Sequence, residues 1–194
     1  MLILVRHGRT AANASGLLLG RADPPLDDLG LAQAESTAAE LGPVARVVTS
    51  PLARTRATAE ALGVPLTVDE RWLELDYGEW DERPLRDIAP ADWANWMADP
   101  TFAPPGGESL QDLGRRVRAV CDDLAAEAAE HDVVVVSHVS PIKAAVAWAL
   151  GADDDLAWHL YLAPASITRI STAGGRRVLQ SYNQTAHLPT RTEP

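Results

Sequence analysis

Arg6-His7-Gly8, Arg54, Ser137-His138 and the pair Glu74 and Asp76 are the residues whose types and placement could do chemistry together. Arg6-His7-Gly8 comes directly after the apolar run Leu2-Ile3-Leu4-Val5. Four apolar residues closed by a glycine turn read as a short strand buried on both faces. Residues just past such a strand sit at its carboxyl end, where open α/β sheets bind ligands. The arginine supplies a forked cation, and the histidine a nucleophile that is largely neutral at pH 7. That pairing suits phosphoryl transfer, which needs charge neutralised on three oxygens, an in-line nucleophile and a proton for the leaving group. Arg6 and Arg54 can each grip phosphate oxygens in a bidentate way. Neutral His7 can attack phosphorus, giving a phosphohistidine that water then cleaves. His138 can lend hydrogen bonding to the transferring group. For the proton, Glu74 and Asp76 lie among bulky residues in Arg71–Gly78, and either carboxyl group could protonate a leaving alkoxide and later deprotonate water. Spacing does not choose between them.

The elements that must position these residues alternate along the chain. After the first strand, Asp27 and Asp28 can cap a helix through about Leu41, ended by Gly42-Pro43. Val44–Thr49 reads as a second strand. Ser50-Pro51 reads as an N-cap with proline at the first helical position, opening a helix to Leu62 that stops at Gly63. A third strand falls near Leu66–Val68. The stretch Glu79–Gly107 carries Trp80, Trp93, Trp96 and Phe102 among five prolines and is expected to form a lid over the sheet. Ser109 starts a long helix to about Glu130, with Leu110, Leu113, Val117, Val120 and Leu124 on one face. Val133–Val136 is the clearest buried strand. Ser140-Pro141 repeats the cap-plus-proline pattern for a helix ending at Gly151. Strands near Ser166–Ser171 and Arg177–Tyr182 are expected to extend the sheet. The class is therefore α/β: a three-layer sandwich with a mostly parallel central sheet and helices on both faces, one domain over 1–194 with a lid at about 79–107. Arg6-His7, Thr49–Arg54 and Ser137-His138 each come at the end of a strand, so they can converge on one crevice.

Composition narrows the partners. A net charge of −10 argues against nonspecific nucleic-acid binding, which wants a basic face. No apolar stretch is long enough to span a bilayer, and no basic region leads into a signal core, so no membrane partner and a cytoplasmic location are expected. A lone Cys121 cannot build a disulfide framework, and its helical neighbours mark it as a small core residue. An edge strand or the lid tryptophans could support a homodimer.

In order along the chain, Leu2–Thr10 with Asn13, Gly20–Asp23 with Pro25-Leu26, Ser50–Thr55, Leu73-Glu74 with Tyr77-Gly78, Pro105–Ser109 and Ser137-His138 resemble the histidine phosphatase superfamily, also called phosphoglycerate-mutase-like. The resemblance implies that His7 is the phosphorylated nucleophile, that Arg6, Arg54 and His138 surround the phosphoryl group, and that Glu74 is the acid/base. It adds Asn13 as an auxiliary phosphate contact, Thr10 as loop support and Arg21 as a substrate contact. No metal or organic cofactor is implied. The segments Trp72–Trp80 and Ser137–Lys143 look most like small phosphatases of the α-ribazole-phosphatase type. Many members have glycine after the second histidine, whereas this chain has Val139, expected at the phosphate. The lid also lacks the long insertion of cofactor-dependent mutases, which favours hydrolysis. The expected activity is hydrolysis of a small-molecule phosphomonoester; a phosphoglycerate mutase and a non-catalytic phosphate-ester binding protein are the alternatives.

Simpler roles are expected for the remaining candidates. His131 reads as a helix C-terminal partner, and His159 and His187 as surface or core residues. Arg115, Arg116 and Arg118 read as the solvated face of a helix. Structural ion pairs compete for two site residues: Arg54 with Glu60, and Glu74 with Arg71. A zinc site built from His7 and His138 lacks a metal-ligand spacing motif.

Overall fold

The computed structural model describes residues 1–189. In chain order the elements are β1 (Leu2–Arg6), α1 (Ala11–Ala14), α2 (Asp28–Leu41), β2 (Val47–Thr49), α3 (Ala53–Glu60), β3 (Leu66–Val68), α4 (Pro90–Ala98), α5 (Leu110–Glu130), β4 (Val133–Ser137), α6 (Val139–Leu150), β5 (Ile167–Ser171) and β6 (Val178–Gln184). The strands form one sheet in the order β3-β2-β4-β1-β5-β6. The first four are parallel, and β5 runs antiparallel to both β1 and β6.

Alternation along the strands splits the core into two layers. Leu2 and Leu4 of β1 and Val133 and Val135 of β4 pack with Leu113, Val117 and Val120 of α5 and Ile142 and Ala145 of α6. Ile3 and Val5, with Val134 and Val136, face the opposite side with Ala59 of α3 and the flanking Leu41 and Leu62. Both faces of these strands are buried, which is why their sequences are continuous apolar runs. The expected α/β sandwich is therefore present. The segment 79–107 adds α4 and short 3-10 turns, and its Trp80 and Trp96 pack into the α5–α6 layer. Trp96 meets Tyr77, Trp80, Trp93 and Trp158 edge to face, with ring centroids 4.9–5.8 Å apart. Trp80 and Trp96 are thus core, with Trp93 and Trp158 partly buried against them. The expected domain runs to residue 194, and 190–194 lie outside the described residues.

Caps on α2 and α5 are as expected: Asp27 accepts from Gly30 N, and Ser109 from Asp112 N. Two expected caps are corrected. α3 begins at Ala53 after Leu52, not at Ser50-Pro51, and ends at Glu60 rather than Leu62; α6 begins after His138, not at Ser140. In both places the hydroxyl that would have capped the helix has a partner elsewhere in the fold, the Ser50 hydroxyl in His138 and the Ser140 hydroxyl in Tyr77. Among the described residues no helix is long and apolar enough to cross a membrane.

Candidate active site

Register places the candidate residues side by side. β1 and β4 pair from Leu2 with Val133 through Arg6 with Ser137, and β2 pairs Thr49 with Val136. The strands therefore end level, and His7, Ser50 and His138 leave them at one edge. His7 is held there by its own backbone: its N–H donates to Ser137 O (3.0 Å), and its carbonyl accepts from Ala165 N (3.0 Å). Gly8 is required where the chain then passes α2, since a Cβ on it would lie 2.3 Å from Gly30 O.

The His7 ring is oriented by a 2.7 Å hydrogen bond between Nδ1 and Gly8 O. A carbonyl only accepts, so Nδ1 carries the proton and Nε2 keeps its lone pair. Burial, reinforced by Arg6 and Arg54, holds the His7 imidazole well below its usual range and so neutral. His138 is the N-cap residue of α6, its ring fully buried. Arg54 Nε–H donates to His138 Nδ1 (3.3 Å), which leaves the proton on Nε2 to reach Ser50 Oγ (2.8 Å). The His138 pKa is likewise lowered, by burial first and then by Arg54, His7 and Arg6.

Arg54, in the first turn of α3, is fully buried, and the expected competing pair with Glu60 is not formed. Its fork instead donates from Nη2 to Gly20 O (2.8 Å) and from Nη1 to Ala22 O (2.7 Å). Arg6 donates from Nη1 to Leu162 O (2.6 Å), while its buried Nε has no protein partner. Burial lowers the Arg6 guanidinium to about 10, with Glu74 opposing the shift. Two arginines crowded beside two neutral imidazoles make a pocket that gains most from a divalent anion.

The structure separates the two carboxylates. Glu74 is buried, with Oε1 accepting from Leu75 N (2.8 Å) and Ser140 N (3.1 Å) and Oε2 from Val139 N (3.0 Å). It therefore sits on the N-terminus of α6, next to His138. Asp76 instead closes its own turn through Gly78 N (2.9 Å). Arg71 pairs with Asp69 (2.7 Å) and Asp123 (2.6 Å) rather than with Glu74. Val139, expected at the phosphate, gives its amide to Glu74.

Asn13 lies in a capping box, its Oδ1 accepting from Thr10 N (3.2 Å) and its amide donating to Thr10 Oγ1 (3.2 Å), so Thr10 supports the loop as expected. Arg21 faces Asp76 (3.8 Å) and Glu108 (3.7 Å) at ion-pair distance, and its buried Nε has no hydrogen-bond partner. His131 pairs with Glu127 near the end of α5 (3.1 Å). Of the three arginines expected on a solvated face, only Arg115 is exposed there. Arg116 grips Glu108 with Nε (2.7 Å) and Nη2 (2.8 Å) and also donates to the carbonyls of Arg71 (2.6 Å) and Glu74 (3.2 Å). Arg118 pairs with Asp154. Sequence reasoning missed Arg116 and the site role of Ser50. Ser50 had a signal, its place directly after β2; Arg116 had none. Among the described residues no group of three or more His, Cys, Asp or Glu is placed to hold a metal ion.

A family model for the histidine phosphatase superfamily (branch 1) matches residues 2–185, so the chain belongs to that superfamily. A bifunctional protein of Mycobacterium tuberculosis is 35% identical over 198 residues, covering 96% of this chain and 54% of its own length. This chain thus spans about half of that relative. A phosphoserine phosphatase variant from Entamoeba histolytica, solved with phosphoserine, superposes with a TM-score of 0.90 at 26% identity, covering 97% of this chain and 98% of that one. The α-ribazole phosphatase of Shigella flexneri superposes at 0.83 with 27% identity, over 94% and 96%.

Proposed function

We propose that this chain hydrolyses phosphomonoesters of small metabolites through a phosphohistidine at His7. The observation that carries the reading is the His7 ring, tautomerically fixed by Gly8 O, kept neutral by burial, and set between Arg6 and Arg54. The phosphoryl oxygens take up the two guanidinium groups, and His138 turns its Nε2–H from Ser50 Oγ to the same group. His7 Nε2 then attacks phosphorus as the ester P–O bond breaks, and a proton held on the Glu74 carboxyl passes to the leaving alkoxide. In the second half Glu74 takes a proton from water as that water attacks phosphorus, the P–N bond breaks, and phosphate leaves. In this reading the segment 79–107 is the lid of one domain.

The test uses p-nitrophenyl phosphate, phosphoserine and α-ribazole phosphate without added metal, following phosphate release and acid-labile phosphoenzyme. His7→Ala is expected to abolish both, and Glu74→Gln to slow turnover. Full activity in His7→Ala would overturn the mechanism. Transfer of the phosphoryl group between positions of a phosphoglycerate, in place of release, would instead identify a mutase.

A further inference from the structure

Asp81 directly succeeds the single-turn 3-10 helix Gly78–Trp80, whose Trp80 is buried in the aromatic cluster. Its carboxylate accepts three consecutive amides from across the crevice: Gly20 N on Oδ1 (2.7 Å), and Arg21 N and Ala22 N on Oδ2 (both 2.8 Å). Successive amides converging on one point form a concave anion site, filled here by the protein's own side chain. The carbonyls of that loop face the other way, Gly20 O and Ala22 O accepting the two terminal nitrogens of Arg54.

The rest of the loop is fastened to the same segment. Leu18 N donates to Arg83 O (2.9 Å), and Glu82 N to Leu18 O (2.8 Å) and to Asp81 Oδ1 (3.1 Å). Glu82 adopts φ 60 to do so, a left-handed conformation that a non-glycine residue holds only under strain. Gly20 leaves no slack, because a Cβ there would lie 2.8 Å from Leu75 O. The Arg54 Nε–H is spent on His138, which leaves one N–H on each terminal nitrogen for the phosphoryl group. The depth and plane of the guanidinium are therefore set by two carbonyls of the loop that Asp81 fastens, with Asp23 Oδ1 3.9 Å from Nη1.

We propose that Asp81 is a positioning residue: through the Gly20–Ala22 loop it holds Arg54 in the geometry that clamps the phosphoryl group. This role rests on the phosphatase reading of the site. It gives the 79–107 segment a direct connection to phosphate binding, since Asp81 and Trp80 are neighbours in the chain.

Asp81→Asn keeps the volume but turns one acceptor into an N–H donor facing amides. With p-nitrophenyl phosphate, kcat/KM is expected to fall by on the order of 10²-fold, the scale at which misplacement of a binding group is felt. In an Arg54→Ala background the same substitution should change kcat/KM by less than about twofold, because the group it acts through is gone. An equal loss in both backgrounds, or no loss in the native background, would overturn the proposal. Gly20→Ala displaces the loop by an independent route and carries the same expectation, so the coupling remains testable if Asp81→Asn does not fold. His7→Ala separates the two readings. If it stays active, the phosphatase mechanism fails; if it is inactive while Asp81→Asn and Arg54→Ala simply multiply, only the positioning role fails.

Discussion

The rings of His7 and His138 stand edge to face, their centroids 5.2 Å apart and their planes inclined at 62°. At that distance a proton on one ring raises the cost of a proton on the other, and Arg6 and Arg54 raise it further. The pocket therefore presents two neutral imidazoles beside two cations, a charge arrangement that an arriving phosphoryl dianion completes.

Stability should fall on the acid side because of this pair. In the unfolded chain both histidines titrate near 6.5, while in the folded protein burial keeps both well below that. Above that pH neither state binds these protons and the pair has no effect. As pH drops below 6.5, the unfolded chain gains protons that the folded one refuses, so stability is lost at up to about 1.4 kcal/mol per pH unit for each histidine. Thermal melts from about pH 8 to about pH 5 should show Tm falling below the usual histidine range, with a shallower fall in the His7→Gln, His138→Gln double variant. Parallel curves for the two proteins would count against buried neutral histidines.

Arg54→Lys should act as a severe substitution. An ammonium cannot reproduce a fork that reaches Gly20 O, Ala22 O and His138 Nδ1 at once. Losing a preorganised donor to the transferring group predicts a fall in kcat of about 10²–10³-fold. Leaving a buried carbonyl unpaired predicts a loss of about 1–3 kcal/mol in stability. Steady-state kinetics and urea unfolding check the two effects separately.

Particular residues explain how far the sequence was legible. β1 and β4 were readable because strands buried on both faces must be apolar throughout, and the site could be located because ligands gather where such strands end. The antiparallel run of β5 was not readable, since a period of two carries no direction. The helix starts at Ser50-Pro51 and Ser140-Pro141 were misread for one physical reason. The Ser50 and Ser140 hydroxyls face His138 and Tyr77, so long-range partners overrode local capping. Arg116 was invisible because its helical spacing matches a solvated stripe, while its partner Glu108 lies before α5.

Arg116→Gln should separate support of Glu74, the proposed acid/base, from substrate binding. The guanidinium holds Glu108 with two short bonds and braces the carbonyls of Arg71 and Glu74 from behind. Removing it leaves the phosphoryl clamp intact but loosens the backbone that aims Glu74. A group needed mainly in the transition state should show its loss in kcat, with KM little changed. An increase confined to KM would place Arg116 in binding instead.

Gly78→Ala tests whether the Glu74 segment depends on its fit against the loop before α5. Gly78 has φ 51, where any side chain is strained, and a Cβ there would lie 2.2 Å from Pro105 O and 2.6 Å from Gly107 N. Both contacts are backbone and cannot swing aside. The close approach lets Glu79 N reach Pro105 O and Glu108 N reach Asp76 O, each at 2.9 Å, which delivers Glu108 to Arg116. Left-handed strain alone costs about 1–2 kcal/mol, and overpacking adds about 1–3 kcal/mol. Chemical denaturation should therefore show a loss above about 2 kcal/mol. If this packing also holds the brace in place, kcat should fall at temperatures well below the new Tm, because Glu108 is withdrawn from the arginine that braces Glu74. Full activity in the folded variant would show that the loop contributes stability alone.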